Sequence, residues 1–235
     1  MSGKPWFRAR PELRDEVIEV SRELQPELFF VVEDEVAYLQ GTYLVVHEGE
    51  VWDRYEVEIE FPHNYQNGLP TVRETAGRIP REPDRHMEPD GRACLFLKDE
   101  FWWHHPEGLT FRQFLGETIH SYFVCQTYYD QCEETWLLED REHHDFGRYC
   151  FYKDAIDTDD LGVILRYLDY IERGAKGHWD CPCGSGERLR DCHRHLMWKL
   201  KDRIPPEVAA RSQERLRKWG RQIARELKRR EAAQS

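Results

Sequence analysis

Two stretches of this chain hold side chains whose types and spacing suit chemistry. The first is Cys181-Pro182-Cys183-Gly184-Ser185-Gly186-Glu187-Arg188-Leu189-Arg190-Asp191-Cys192-His193. It offers three soft sulfurs and one imidazole, a donor set that suits tetrahedral zinc. The Cys-x-Cys pair and the adjacent Cys-His pair must come from two chain segments joined by a tight turn, which Gly184 and Gly186 make easy. Cys181, Cys183, Cys192 and His193 are the expected ligands, with His195 a weaker substitute for His193. Four protein ligands leave no open position for a substrate, so the expectation is one structural zinc ion per chain. So small a unit has little core and would depend on the metal to fold. The second stretch is His86-Met87-Glu88-Pro89-Asp90-Gly91-Arg92-Ala93-Cys94-Leu95, which places a cysteine at the end of a Gly-containing loop. A thiol there can be approached by two bulky partners, which suits a group-transfer nucleophile. The competing reading is a small buried core side chain.

The elements that must position these groups follow from the hydrophobic pattern. Residues 11–24 place Leu13, Val17, Val20 and Leu24 at helical spacing. Leu28–Val32, Val36–Val46 and Val51–Phe61 read as strands, the last with Val57, Ile59 and Phe61 on one face and Glu56, Glu58 and Glu60 on the other. His47-Glu48-Gly49-Glu50 reads as a hairpin turn. The fold class is therefore α+β: an antiparallel meander after one helix. Residues 63–93 are rich in Pro, Gly, Asp and Arg and read as a long loop leading to Cys94. A helix is predicted from Thr110 to Tyr129, with Phe111, Phe114, Leu115, Ile119 and Phe123 as its apolar stripe, and another over Leu161–Glu172. Trp136 to Asp145 reads as irregular, and His104 and His105 as loop residues. Cys125, Cys132 and Cys150 read most simply as core residues. Pro205-Pro206 opens a helix over 207–230, with Leu216, Trp219, Ile223 and Leu227 in a narrow stripe among Arg and Lys. The expected parts are a domain at 10–173, a zinc knuckle at 174–200 and a basic helix at 205–230.

Composition narrows the setting. The 235 residues can hold one fair-sized domain plus an appendage, and eight Trp, eleven Tyr and eleven Phe leave no doubt of a packed core. Seven cysteines, three of them in one metal-like cluster, argue against a disulfide framework and for a reducing compartment. The N-terminal stretch has no apolar signal region and hydrophobic runs are only strand-sized, so the expectation is a soluble, cytoplasmic chain with no membrane partner. The net charge of -11 hides an asymmetry: residues 176–235 carry 16 Lys/Arg against 8 Asp/Glu, which leaves -19 for the first 175. Nucleic acid is not an expected partner of the acidic body, because phosphate contacts require cations. The basic tail reads as a solvated helix, with contact to RNA or to an acidic protein face as the alternatives.

Two resemblances join these observations. Phe61-Pro62, Tyr65, Leu69-Pro70-Thr71-Val72, His86, Gly91, Cys94-Leu95, Trp102 or Trp103, Pro106 and Leu109-Thr110 fall in the order of short motifs of ubiquitin-conjugating enzymes. Over residues 10–172 the chain resembles that family, in particular its bacterial relatives in anti-phage nucleotide-signalling (CBASS) and ubiquitin-like modification operons. The resemblance implies a four-stranded meander flanked by helices, with Cys94 accepting a C-terminal acyl group as a thioester and passing it to a target amine. It implies an activating enzyme and a ubiquitin-like modifier or tailed protein substrate as partners, and a protein target. His86 would organise the loop, and His143 and His144 are candidates for general base, with ordinary surface roles as the competing reading. The family's Asn two positions after the His is Glu88 here, and a carboxylate repels a developing oxyanion. The alternative is an inactive scaffold of the same fold. The knuckle resembles the SEC-C motif at all its signature positions, which implies a protein-binding adaptor.

Overall fold

The period-two segments pair with their neighbours in sequence, giving a four-stranded antiparallel sheet in the order β1-β2-β3-β4. The computed structural model describes residues 4–65, 68–131 and 144–233. Its strands are β1 Leu28–Glu33, β2 Val36–His47, β3 Glu50–Phe61 and β4 Thr71–Glu74. Two-residue turns join the first three. Asp34 and Glu35 have φ of 47° and 64°, Glu48 and Gly49 51° and 85°, the double left-handed conformation that matches strand twist. Ala37, Leu39, Tyr43 and Val45 of β2 and Tyr55, Val57, Ile59 and Phe61 of β3 are buried. On the opposite face Glu56, Glu58 and Glu60 accept from Thr42, Gln40 and Arg73 respectively, at 2.7–3.1 Å. The acidic face that alternation exposes is thus hydrogen-bonded within the sheet, with Arg73 offsetting part of its charge.

Helices α1 (Trp6–Ala9) and α2 (Pro11–Leu24) precede the sheet. Pro11 opens α2 where its missing N–H costs nothing, and Leu13, Val17 and Val20 are buried. Beyond its end, the buried Gln25 side chain pairs with Leu44 in both directions, donating to its carbonyl at 3.0 Å and accepting its N–H at 2.7 Å. At Gly41 the chain comes so close that a Cβ would overlap the Glu27 carbonyl oxygen, and φ is 137°. The far side of the sheet core is covered by α4, which runs through Phe111–Gln113, a π-helical section Phe114–Ile119, and His120–Gln131. Thr110 and Gln113 cap its start reciprocally. Phe111, Phe114, Leu115, Ile119 and Phe123 are all buried, with Phe123 stacked on Tyr55 at 4.7 Å between centroids. Each such ring contributes roughly 1.5–3 kcal/mol by burial.

The chain divides into two compact units, Met1–Leu95 with Leu109–Asp140, and Phe96–Gly108 with Arg141–Ser235. The second holds α3 (Lys98–His104), α5 (His144–Ile156), α6 (Leu161–Glu172), α7 (Arg194–Arg203) and α8 (Pro206–Ala233). Tyr149, Tyr152, Ile164, Tyr167, Leu168, Leu189, Met197, Leu200, Ile204 and Leu216 form one buried cluster there, so the knuckle's Leu189 shares its core with the helices. A polar network lies inside this unit. Asp99, wholly buried, accepts from Tyr152 Oη at 2.6 Å, from Arg148 Nε at 3.1 Å and from Ser212 Oγ. Arg148 also reaches Asp145 at 2.6 Å, which accepts from Arg215 at 2.7 Å.

Three helices differ from the expectation. His104 ends α3 rather than lying in a loop, and His105 caps it. His144 and Asp145 begin α5 instead of an irregular stretch. Residues 194–203 are helical beyond the knuckle. Among the described residues no helix is long and apolar enough to cross a membrane.

Candidate metal centre and cysteine loop

The knuckle is built as a short ribbon and a turn. Leu189 N–H donates to the Trp179 carbonyl at 2.8 Å and Cys181 N–H to the Glu187 carbonyl at 2.7 Å. The ribbon doubles back through Gly184 and Gly186, whose φ of 86° and 80° suit glycine. A single 3₁₀ turn, Leu189–Asp191, then delivers Cys192 and His193 at the start of α7. Helix α6 braces the ribbon from behind. Arg166 Nε donates to the Pro182 carbonyl at 2.7 Å, Tyr170 Oη to the Asp180 carbonyl at 2.9 Å, and the Tyr167 ring stands edge-on to His193.

This scaffold brings the four expected ligands together. One donor atom from each of Cys181, Cys183, Cys192 and His193 lies within 4.8 Å of every other, close enough to bind one metal ion. Cys183 Sγ is 3.7 Å from Cys192 Sγ, and His193 Nδ1 is 3.3 Å from Cys181 Sγ and 3.1 Å from Cys192 Sγ. His195 is not in the group. The thiols are electrostatically divided. Burial opposes ionisation of Cys183, but hydrogen bonds from Ser185 and the neighbouring thiols outweigh it and pull the thiol down to about 6. At Cys192 the Ser185 bond favours ionisation, while burial and the adjacent Cys181 and Cys183 push the thiol up to about 11. Without a cation, one thiolate forms readily and discourages the next.

The second stretch forms a strapped loop in the first unit. Cys94, half-buried and in no disulfide, donates its N–H to the His86 carbonyl at 2.8 Å. Ala93 N–H donates to the Val72 carbonyl at 2.8 Å, tying the loop to β4. Between His86 and Cys94 the chain makes a tight turn, with Gly91 N–H on the Glu88 carbonyl at 2.9 Å and Gly91 at φ 83°. His86 itself has φ 46°. Its backbone carbonyl accepts both the Cys94 N–H and the Tyr122 hydroxyl, the latter at 3.3 Å. The His86 carbonyl thus ties the Cys94 end of the loop to α4. Beside Cys94, Arg92 donates from Nε to Asp90 at 2.6 Å.

Sequence reading missed the residues of α4 that hold this loop. Tyr122, Gln126 and Asp130 stand at i, i+4 and i+8. Gln126 exchanges hydrogen bonds with Arg85, donating to its carbonyl at 2.6 Å and accepting from Nε at 2.9 Å. Asp130 accepts from Arg85 at 2.6 Å. A polar column beside an apolar helical stripe was the available signal. His143 lies outside the described residues, and so does the side chain of His144. Cys125 is buried, as expected of a core residue, and Cys150 half-buried; Cys132 lies outside the described residues. In comparisons with family models, curated proteins and solved structures, nothing matches the chain.

Proposed function

We propose that the chain is a ubiquitin-conjugating-like acyltransferase that uses Cys94, with a zinc-stabilised adaptor. The observation that carries this reading is the first unit: helix, four-stranded meander, long loop ending at a half-buried cysteine, then a helix strapping that loop. In this reading the Cys94 thiolate attacks the thioester carbonyl of a donor, and the donor's thiolate leaves. A target amine then attacks the Cys94 thioester, loses its proton to a base, and releases Cys94 as thiolate. His143 and His144 are the candidates for that base. An activating enzyme would supply the donor, a ubiquitin-like modifier or tailed protein, and the setting implied by the resemblance is anti-phage defence in the cytoplasm. Glu88 favours a second reading, a catalytically inactive scaffold of the same fold, since a carboxylate at that position opposes an oxyanion.

The metal in this proposal is zinc. Around a tetrahedral ion with metal–sulfur bonds of about 2.3 Å, ligand atoms stand roughly 3.4–3.8 Å apart. Three of the knuckle's separations, 3.1–3.7 Å, come within a few tenths of that, and all lie within 4.8 Å. Cys181, Cys183, Cys192 and His193 would hold the ion, which supplies positive charge to thiolates that otherwise repel one another.

The test is a Cys94→Lys chain expressed in its native host with its neighbouring genes, followed by intact-mass analysis. An amine there traps the incoming acyl group as a stable amide whose mass identifies the donor. An adduct on Cys94→Lys that is absent from Cys94→Ala supports acyl transfer. A folded, metal-loaded protein without one moves the conclusion to the scaffold.

A further inference from the structure

The +8 balance of residues 176–235 reads, in sequence, as a solvated helix; the structure gathers part of it around two tryptophans. Helix α7 turns Met197 and Leu200 into the core of the second unit. At 100° per residue, its outer face then runs from Lys201 through Arg194, Trp198, Asp202, His195 and Lys199 to Arg203. Trp198 sits toward the Lys201 margin of the fan, with Arg194 Cζ 5.9 Å and Lys201 Nζ 5.1 Å from its ring centroid. At the other margin Trp103 of α3 carries Lys199 Nζ at 4.5 Å and Arg203 Cζ at 5.2 Å. Arg194, His195, Trp198, Lys199, Asp202 and Arg203 line one open groove of about 490 Å³.

The cations of this surface keep their charge. Elsewhere arginines are commonly spent on carboxylates, as at Arg73, Arg78 and Arg85. Among the described residues none of Arg194, Lys199, Lys201 and Arg203 is in an ion pair. They rest on ring faces and on carbonyls, Arg203 on that of Trp103 at 2.6 Å and Lys201 on that of Ala175 at 3.3 Å. Cation–π contacts leave the positive charge uncompensated. Asp202 is the single carboxylate of the groove.

We infer that this groove binds single-stranded RNA, with phosphates on the cations and a base stacked on Trp198. Cations bracketing an aromatic ring are what such a strand requires, because every base offers a face for stacking and every linkage a charge. A duplex buries its base faces and could use only the charges. An acidic peptide would use the charges as well, but gains little from the aromatic ring among them.

The experiment is fluorescence anisotropy of a labelled twelve-residue oligouridylate with the full, metal-loaded chain. With three or four phosphates neutralised, affinity should fall roughly 15- to 60-fold between 50 and 200 mM salt. Trp198→Ala should weaken binding at least fivefold. Lys199→Glu with Arg203→Glu should weaken it more and flatten the salt dependence. Lys228→Glu with Arg229→Glu, on exposed basic positions of α8, should leave it within twofold. Because Arg203 also holds Trp103, Arg194→Glu stands in if that double variant loses its fold by circular dichroism. Absence of binding at 50 mM salt overturns the inference, as does loss through the α8 substitutions rather than those of α7. Displacement by poly-glutamate as effective as by unlabelled RNA also overturns it, in favour of an acidic protein. None of these outcomes depends on whether Cys94 transfers acyl groups.

Discussion

Removing the Asp99 carboxylate should be among the most damaging single changes to the second unit. Asp99 has no solvent exposure and accepts three hydrogen bonds, from Tyr152, Arg148 and Ser212. Burial first, and then the Asp99 charge, hold the Tyr152 phenol well above its ordinary value, so it remains a donor. Asp99→Ala leaves Arg148, itself buried, with Asp145 alone to balance it. It also takes the acceptor from two hydroxyls, Tyr152 and Ser212, the second of which keeps a bond from Arg148 Nε. Breaking a buried pair costs roughly 3–5 kcal/mol and each orphaned hydroxyl about 1 kcal/mol or more, with partial relaxation offsetting some of this. A net loss of about 4 kcal/mol is expected. For a unit of about a hundred residues that lowers the melting temperature by roughly 15–30 °C. Urea denaturation followed by circular dichroism measures the loss. Adding Tyr152→Phe removes one orphaned hydroxyl, so the double variant should recover about 1–2 kcal/mol relative to additivity. A loss below about 1 kcal/mol, or strict additivity, refutes the view that the carboxylate anchors this network.

Three further outcomes are expected. Gly41→Ala should destabilise by roughly 3–5 kcal/mol, from strain at φ 137° and overlap with the Glu27 carbonyl; Gly49→Ala, at φ 85° with open space around it, should cost only about 1–2 kcal/mol in the same melts. Burial chiefly, then the His47 charge, lower the pKa of His120 against an opposing hydrogen bond to the Val46 carbonyl. The unfolded chain therefore binds that proton more readily, so the contribution of His120 is complete above its ordinary 6.5 and is lost as pH falls below it; melts at pH 7.5 and 5.5 should show a drop that His120→Gln reduces. Elemental analysis should find about one metal ion per chain, and Cys183→Ala should abolish tight binding; a full complement in that variant would exclude this ligand set.

Much of the first unit was legible because its physics is local. Strand β3 alternates Val57, Ile59 and Phe61 against three glutamates, and all three apolar residues are buried. The knuckle was legible because metal ligation constrains spacing, and the turn at Gly184 and Gly186 makes Cys181 and Cys183 meet Cys192 and His193. What escaped depends on distant partners. Helix α3 starts after Leu97 without a side-chain cap, and its buried Asp99 breaks any apolar stripe. Helix α5 likewise buries Asp145 and Arg148 among Tyr149 and Tyr152. In both, polar residues occupy core positions, and their partner Ser212 lies on α8. The cationic fan of α7 was hidden for the same reason, since Trp103 is a hundred residues from Arg203.

The interleaving of the two units bears on how the chain is made. Helix α3 leaves the ribosome early; Asp99 can meet Arg148 and Tyr152 about fifty residues later, but its third donor, Ser212, arrives only after 113 residues. At ordinary translation speeds that interval is roughly 6–20 s. For most of it, Trp103 waits for Lys199 and Arg203, which have not been synthesised. A chain stopped before α8 would leave the carboxylate one donor short. The second unit is thus completed only once α8 has been made, and a fragment cut between residues 173 and 212 should aggregate rather than fold.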